Sequence, residues 1–328
     1  MPIDAAHTAR PERLRLGMVG GGRDAFIGAV HRIAARIDDQ YKLVAGAFSA
    51  DPEKALASAA DLGVARAYTS FADMAAREAR RKDGIDAVAI VTPNHMHAPV
   101  AIQFLRRGIH VICDKPLTAT LPEAKRLAKA AEASGVVFAL THNYTGYPMV
   151  RQAKAMVAAG ALGEIRVVHV EYLQDWLTEA VTNKQAEWRT DPARSGVGGS
   201  TGDIGTHAFN LANFVTGLSL EALAADLSSF VPGRRVDDNG HVLMRFRGGA
   251  KGTLMCSQVA PGNENGLRLR VYGSKGGLEW AQEDPNYLWF TPFGEPKRLI
   301  TRGGAGSGPE AGRVSRVPPG HPEGYLEG

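Results

Sequence analysis

Between residues 14 and 140, short apolar runs alternate with stretches of helical apolar spacing, and this alternation constrains the fold more than any other feature of the chain. Candidate strands cover residues 14–19, 42–48, 87–91, 110–113 and 136–140, with a weak one near Ala67. Each is apolar or β-branched on both faces, as a strand covered by helices on both sides should be. Helical spacing fills 28–37, 52–61, 98–106 and 121–133, and the last of these opens with Thr120 and Glu123 where a capping box places them. Such alternation builds βαβ units and predicts a doubly wound parallel sheet.

After residue 140 the pattern changes. A helix over 149–158 ends at Gly160, and a strand is expected over 165–172. Runs 241–246 and 253–259 flank Arg247, Gly248, Gly249 and Ala250, a hairpin with glycine where positive φ is needed; 267–272 and 278–280 flank a second such turn at 273–277. Consecutive hairpins with segregated helices predict an α+β domain on a mostly antiparallel open sheet. The expected division is a parallel-sheet domain over 1–141 and an α+β domain over 142–328. Residues 301–320, rich in Gly, Pro and Arg, read as a long loop.

Composition supports two packed soluble domains: 328 residues, 44% apolar and 22% charged. The net charge of +4 is mild. The densest basic cluster, Arg77, Arg80, Arg81 and Lys82, has no interleaved aromatic residues and reads as the solvated end of a surface helix, so no nucleic-acid partner is expected. No apolar run reaches the roughly 18 residues of a membrane helix. Residues 1–13, with Pro2, Asp4, His7 and Pro11, read as a loose tail and not a secretory signal. Cys113 and Cys256 lie far apart in apolar runs and suit buried thiols, so the cytoplasm is the default location.

The first strand ends in Gly20, Gly21 and Gly22, followed by Arg23, Asp24, Ala25, Phe26, Ile27 and Gly28 at a helix start, an arrangement that suits a pyrophosphate. Either Ala25 takes the third position of the glycine fingerprint, or residues are inserted and Gly28 takes it. Where an acidic residue would bind the adenosine ribose stands Ser49, with Asp51 two residues on, which leaves NAD and NADP both open. The fourth strand runs into Thr92, Pro93, Asn94, His95, Met96 and His97; the fifth delivers Asp114, Lys115 and Pro116 at the same edge, where an ammonium can polarise a hydroxyl or carbonyl. Beyond the segment Gly196 to Gly202, Asp203 and His207 stand at i and i+4, roughly 5–6 Å apart at Cβ on one helix face. Such a pair can hold a hydroxyl and pass its proton; alternatively Asp203 caps the helix and His207 is a core histidine. His95, His97, Asp203 and His207 lack metal-ligand spacing, so no metal is expected.

Taken together, these segments resemble the glucose-fructose oxidoreductase and inositol dehydrogenase (Gfo/Idh/MocA) family from Leu14 to Tyr325. The motifs that carry the resemblance are Gly20 to Gly22, Thr92-Pro93-Asn94 with His97, Asp114-Lys115-Pro116, Asn143-Tyr144, Gly160 to Gly163, and Gly202-Asp203-Ile204-Gly205-Thr206-His207. The resemblance implies a Rossmann domain, a second domain whose open sheet mediates homodimers or homotetramers, and NAD- or NADP-dependent hydride transfer at a hydroxyl-bearing carbon of a sugar, cyclitol or related polyol. It places the cofactor on Gly20, Gly22, Ala25, Phe26, Ile27, Ser49, Thr92, Pro93, Asn94, His97, Asp114, Lys115 and Asn143. Substrate falls to Lys115, Tyr144, Trp188, Arg189, Asp203 and His207. Lys115, Asp203 and His207 match the family's catalytic set, either Lys115 or His207 taking the proton. Asp114 stands where the family has glutamate. Leu173, Gln174, Asp175 and Trp176 resemble a segment of pyranose-derivative dehydrogenases. Two other activities lie within reach of such relatives: glycoside hydrolysis through transient oxidation, and NAD(P) sensing without turnover. Family chains continue past His321-Pro322-Glu323-Gly324-Tyr325 into a long helix, so the chain is expected to be truncated at Gly328.

Overall fold

A computed structural model of the chain describes residues 12–23 and 25–328. The tail expected over 1–13 lies outside these apart from its last two residues, as does Asp24. The chain forms two compact units: one contains residues up to Thr92 with Met96–Asp114 and Lys125–Ala139, the other Pro93–His95, Lys115–Ala124 and Leu140–Gly328. Among the described residues no helix is long and apolar enough to cross a membrane.

In chain order the first half comprises β1 (Leu14–Gly20), α1 (Phe26–Ile37), β2 (Tyr41–Ala47), α2 (Pro52–Asp61), β3 (Arg66–Ala67), α3 (Phe71–Glu78), β4 (Ala87–Val91), α4 (His97–Leu105), β5 (His110–Asp114), α5 (Leu121–Ser134) and β6 (Phe138–Thr141). The sheet order is β3-β2-β1-β4-β5-β6, with β1 parallel to both β2 and β4. The strand order therefore reverses between β1 and β4, and ligands of open parallel sheets bind at the carboxyl ends beside such a switch point. All five residues of β4 are buried, and Leu16, Met18, Phe48, Val64, Ala89 and Val91 pack into one core. Burying each larger side chain there contributes about 1.5–3 kcal/mol. Helix α3 is not among the expected helices, although it sets Phe71, Met74 and Ala75 at i, i+3 and i+4 and buries the latter two. It starts at Ser70, whose side chain accepts from the Asp73 amide, and its last turn carries Arg77 of the basic cluster.

The remaining elements are α6 (Pro148–Ala158), β7 (Ile165–Leu173), α7 (Lys184–Arg189), α8 (Pro192–Ser195), α9 (Thr206–Thr216), β8 (Leu220–Ser228), β9 (Asn239–Phe246), β10 (Lys251–Ser257), β11 (Gly266–Gly273), β12 (Gly276–Ala281), β13 (Tyr287–Pro292), β14 (Arg298–Thr301) and α10 (Pro309–Gly312). Eight strands form a second sheet in the order β14-β13-β12-β11-β7-β10-β9-β8. It is antiparallel except for β7 beside β10. One face is buried with Tyr147, Met149 and Leu211 against Val168, Val170, Leu267, Leu269 and Trp280. The other is open: Leu243 is 65% exposed and Val167 44%.

The β9–β10 turn uses glycine as expected, with φ of 89° at Gly248 and 97° at Gly249. The β11–β12 turn corrects the expectation, because no residue from 273 to 277 has positive φ. Glycine is needed there for close approach: a Cβ on Gly273 would lie 2.1 Å from the Leu162 carbonyl oxygen. Strand β8, Leu-Glu-Ala-Leu-Ala-Ala-Asp-Leu-Ser, is rich in helix formers, yet antiparallel pairing with β9 makes it an edge strand. The loop over 301–320 is interrupted by α10 and anchored at Arg302, whose side chain donates to the carbonyls of Val317, Pro318 and His321.

Candidate active site

The glycine turn is built for close approach. Gly20 and Gly21 have φ of 82° and 70°, conformations that residues with a Cβ avoid. A Cβ on Gly28 would lie 2.4 Å from Gly21 Cα, so Gly28, in α1, performs the close helix–loop packing of the third fingerprint glycine. The alternative that Ala25 fills that position is thereby corrected. Ala25 is the extended N-cap of α1, its amide donating to the Gly22 carbonyl. Phe26 and Ile27 form the first turn, whose amides have no acceptor within the helix. Gly22 donates to the Phe48 carbonyl at 3.2 Å, and a Cβ on it would strike Ser58 Oγ at 2.7 Å. Arg23 pairs with Asp61 at the surface, a contact of little energetic weight.

At the end of β2, Ser49 Oγ accepts from the Asp51 amide, and the Asp51 carboxylate accepts from Lys54 as the cap of α2. At the end of β4, Thr92 Oγ1 is buried with no hydrogen-bond partner among the described residues. His97 is fully buried, and its Nε2 lies 3.0 Å from the Thr92 carbonyl oxygen, which fixes that turn. Asp114, ending β5, lies 3.8 Å from His31 Nε2. A loop stripped of side chains, a helix amino terminus and an orphaned hydroxyl fit a dinucleotide.

The second unit gathers the other predicted residues. Directly after β5, Lys115 Nζ donates to Asp203 Oδ1 at 2.6 Å and to the Asp203 carbonyl oxygen at 2.8 Å. Asp203 Oδ2 accepts from Gln258 Nε2 at 2.9 Å and Arg189 Nε at 3.3 Å. Burial opposes ionisation of this carboxyl, but the charges of Lys115 and Arg189 outweigh it and hold its pKa well below the usual carboxylate range. Asp203 and His207 do not share one regular α-helix. Residues Thr201–Gly205 form a π-helical turn and α9 begins at Thr206, so Asp203 is no N-cap either. Such turns concentrate at functional sites.

His207 is buried, with its ring 4.7 Å from that of Tyr144 and 5.3 Å from that of His142. Tyr144 Oη lies 2.7 Å from Tyr172 Oη, Tyr172 donates to Asn265 Oδ1 at 2.6 Å, and Asn265 Nδ2 donates back to Tyr144 at 3.3 Å. This closed ring of three fixes the tyrosine beside the imidazole. Gln174 donates to Asn265 Oδ1 and accepts from Trp176 Nε1. Arg189 lies over the Trp188 ring at 4.3 Å and near Trp176 at 6.0 Å. Asn94 is buried and donates to the Ser195 carbonyl, with Pro93 before it. Asn143 Nδ2 is buried with no partner among the described residues. Sequence reading missed Gln258, Tyr172 and Asn265 as site residues. They arrive through pairing of β7 with β10 and β11, which no local spacing signals.

An NAD-binding Rossmann-fold oxidoreductase model matches residues 14–142, and the GFO/IDH/MocA C-terminal domain model matches residues 150–279. The chain belongs to the Gfo/Idh/MocA oxidoreductase family. A crystal structure of an oxidoreductase from Sinorhizobium meliloti is 64% identical, with TM-score 0.89, covering 96% of this chain and 85% of that one. An inositol dehydrogenase homolog from Azotobacter vinelandii, complexed with NADH and myo-inositol, is 38% identical with TM-score 0.91, over 97% of this chain and 83% of that one. Levoglucosan dehydrogenase of Pseudarthrobacter phenanthrenivorans is 30% identical over 302 residues, 83% of this chain and 74% of the relative. Membership of the Gfo/Idh/MocA family makes the chain an NAD-binding oxidoreductase of two-domain architecture.

Proposed function

We propose that the chain transfers a hydride between a nicotinamide cofactor and a hydroxyl-bearing carbon of a sugar, cyclitol or related polyol. The observation that carries this is the double hydrogen bond from Lys115 Nζ to Asp203. An ammonium so clamped offers its charge and remaining N–H to an oxygen that gains negative charge. The proton then falls to His207, an imidazole held against Tyr144. In the oxidative direction the substrate hydroxyl gives its proton to His207 while Lys115 stabilises the developing oxyanion. The bound nicotinamide supplies the hydride acceptor. Both Asp203 oxygens are engaged by Lys115, Gln258 and Arg189, which favours anchoring of Lys115 as its role. Trp188, Arg189 and Tyr144 would meet the other hydroxyls.

Gly20, Gly22, Ala25, Phe26 and Ile27 would hold the pyrophosphate, Ser49 the ribose, and Thr92 to Asn94, His97, Asp114 and Asn143 the remainder of the cofactor. The neutral Ser49, with Asp51 two residues on as the cap of α2, leaves NAD and NADP both open. The relatives carrying myo-inositol or named for levoglucosan support a polyol substrate. The open face of the second sheet, with Leu243 exposed and the Arg270–Glu171 ion pair on it, supports a homo-oligomer through that sheet. The two buried thiols support a reducing compartment such as the cytoplasm.

The test is a panel of polyols, inositols and glycosides incubated with NAD+ or NADP+, followed by cofactor absorbance. Reduced cofactor should form with at least one polyol and fail to form in Lys115→Ala. Glycoside cleavage without net reduced cofactor, or cofactor binding with no turnover on any compound, would overturn the proposal.

A further inference from the structure

Asp237, a buried carboxylate just before β9, lies outside every motif picked out in the sequence. Its Oδ1 accepts from the Gly199 amide at 2.7 Å and Thr201 Oγ1 at 2.8 Å. Its Oδ2 accepts from Ser200 Oγ at 2.7 Å and the Thr201 amide at 2.8 Å. The Asp237 carbonyl oxygen accepts from the Ser200 amide as well. One residue therefore takes five hydrogen bonds from three consecutive residues. Contact is so close that a Cβ on Gly199 would lie 2.0 Å from the Asp237 carbonyl oxygen.

The next turn of chain is the π-helical segment that carries Asp203. The Asp203 amide donates to the Gly199 carbonyl, and its carbonyl and carboxylate oxygens receive Lys115. Because Lys115 bonds the main chain as well as the side chain of Asp203, the backbone position of residue 203 matters as much as its carboxylate. Bonds from amides and hydroxyls to a carboxylate are charge-assisted, roughly twice as strong as neutral ones, and hold such a loop firmly.

Resting on the roles proposed above for Lys115 and Asp203, we propose that Asp237 is a positioning residue for the reaction: by holding residues 199–201 it sets where Asp203 meets the Lys115 ammonium. It reaches Lys115 only through Asp203.

The full-length protein tests this by competitive acetic anhydride labelling, with each lysine read by peptide mass spectrometry over a pH series. Lys115, two of whose protons are held by Asp203, should label slowly in the parent and about tenfold faster in Asp203→Ala and Asp237→Ala, as expected for losing one hydrogen bond to a charged group. Lys42 and Lys54 in the first unit should keep their parent rates. Should Asp237→Ala fail to fold, Ser200→Ala combined with Thr201→Val removes two of the bonds and leaves the carboxylate in place. Acceleration of Lys115 in Asp203→Ala but parent rates in the Asp237 and Ser200/Thr201 variants would overturn the positioning role alone. Equal acceleration at every lysine would reduce Asp237 to a general structural residue and overturn it too. Parent rates in Asp203→Ala would remove the clamp itself, and the positioning role with it.

Discussion

Lys115 Nζ bonds both the carboxylate and the backbone carbonyl of Asp203, at 2.6 and 2.8 Å. Two of its three protons are thereby spent on one residue, and its orientation is set before any substrate arrives. Such preorganisation spares the cost of reorienting charge during the reaction.

Removing either working group should affect chemistry more than cofactor binding. Lys115→Ala is expected to lower turnover by about 10²–10³, and His207→Ala by about 10²–10⁴. NADH affinity, measured by fluorescence titration, should hold in both. Wild-type turnover in both variants on a polyol that the parent oxidises would contradict the assignment.

Gly28→Ala should weaken both stability and dinucleotide binding, because the new methyl carbon would sit 2.4 Å from Gly21 Cα. Forced overpacking of this kind costs about 1–3 kcal/mol. Thermal melting and NADH titration of the same preparation give the check. An unchanged melting temperature with unchanged affinity would return the third fingerprint position to Ala25.

The depressed pKa of Asp203 makes a signed prediction. A carboxyl whose folded pKa lies below its unfolded value, about 3.9, contributes stability that is fully present above that value and lost as pH falls through the folded one. Burial works against the charged form, while Lys115 and Arg189 favour it more strongly. The gap in urea midpoint between parent and Asp203→Asn should therefore be flat from neutral to mildly acidic pH and narrow below about pH 4. A gap that widens on acidification would contradict the ion-pair account.

Arg302 and Glu323 are each 2% exposed at the side chain and 3.4 Å apart. Glu323 also accepts from the Arg316 and Val317 amides. Breaking one side of a buried pair costs about 3–5 kcal/mol, so Arg302→Ala and Glu323→Ala should each lower the chemical midpoint markedly. The double variant should lose less than the sum of the two, since the second substitution removes a charge already stranded.

The buried thiols offer a simple check on the folded state. Burial pushes Cys256 up to about 12 and Cys113 higher still, and the thiolate is the reactive form. Native protein should leave both silent to a disulfide reagent at neutral pH, while unfolded protein should titrate two. Rapid reaction of either thiol in the native protein would show that its strand opens readily.

Much of this molecule was legible along the chain. The parallel sheet followed from runs such as Ala87 to Val91, apolar on both faces, because a strand between two helical layers has no polar side to show. Helix α2 could be placed to the residue, since Asp51 and Pro52 mark its start. Lys115, Asp203 and His207 stood out through local spacing and family motif. By contrast β8 carries helix-forming residues and becomes a strand through its neighbour β9. The partners of Asp203 were equally hidden, since Gln258 lies 55 residues away and Lys115 88.

The amino-acid sequence by itself determined the layer architecture, the glycine turn and the chemistry-bearing residue types, because these depend on local periodicity and short-range sterics. Only the tertiary structure decided that Gly28 fills the third glycine position, that a π-helical turn carries Asp203, and that Asp237 holds the loop before it. Those outcomes depend on which distant backbones come into contact, and contact across tens of residues is set by packing of the whole core.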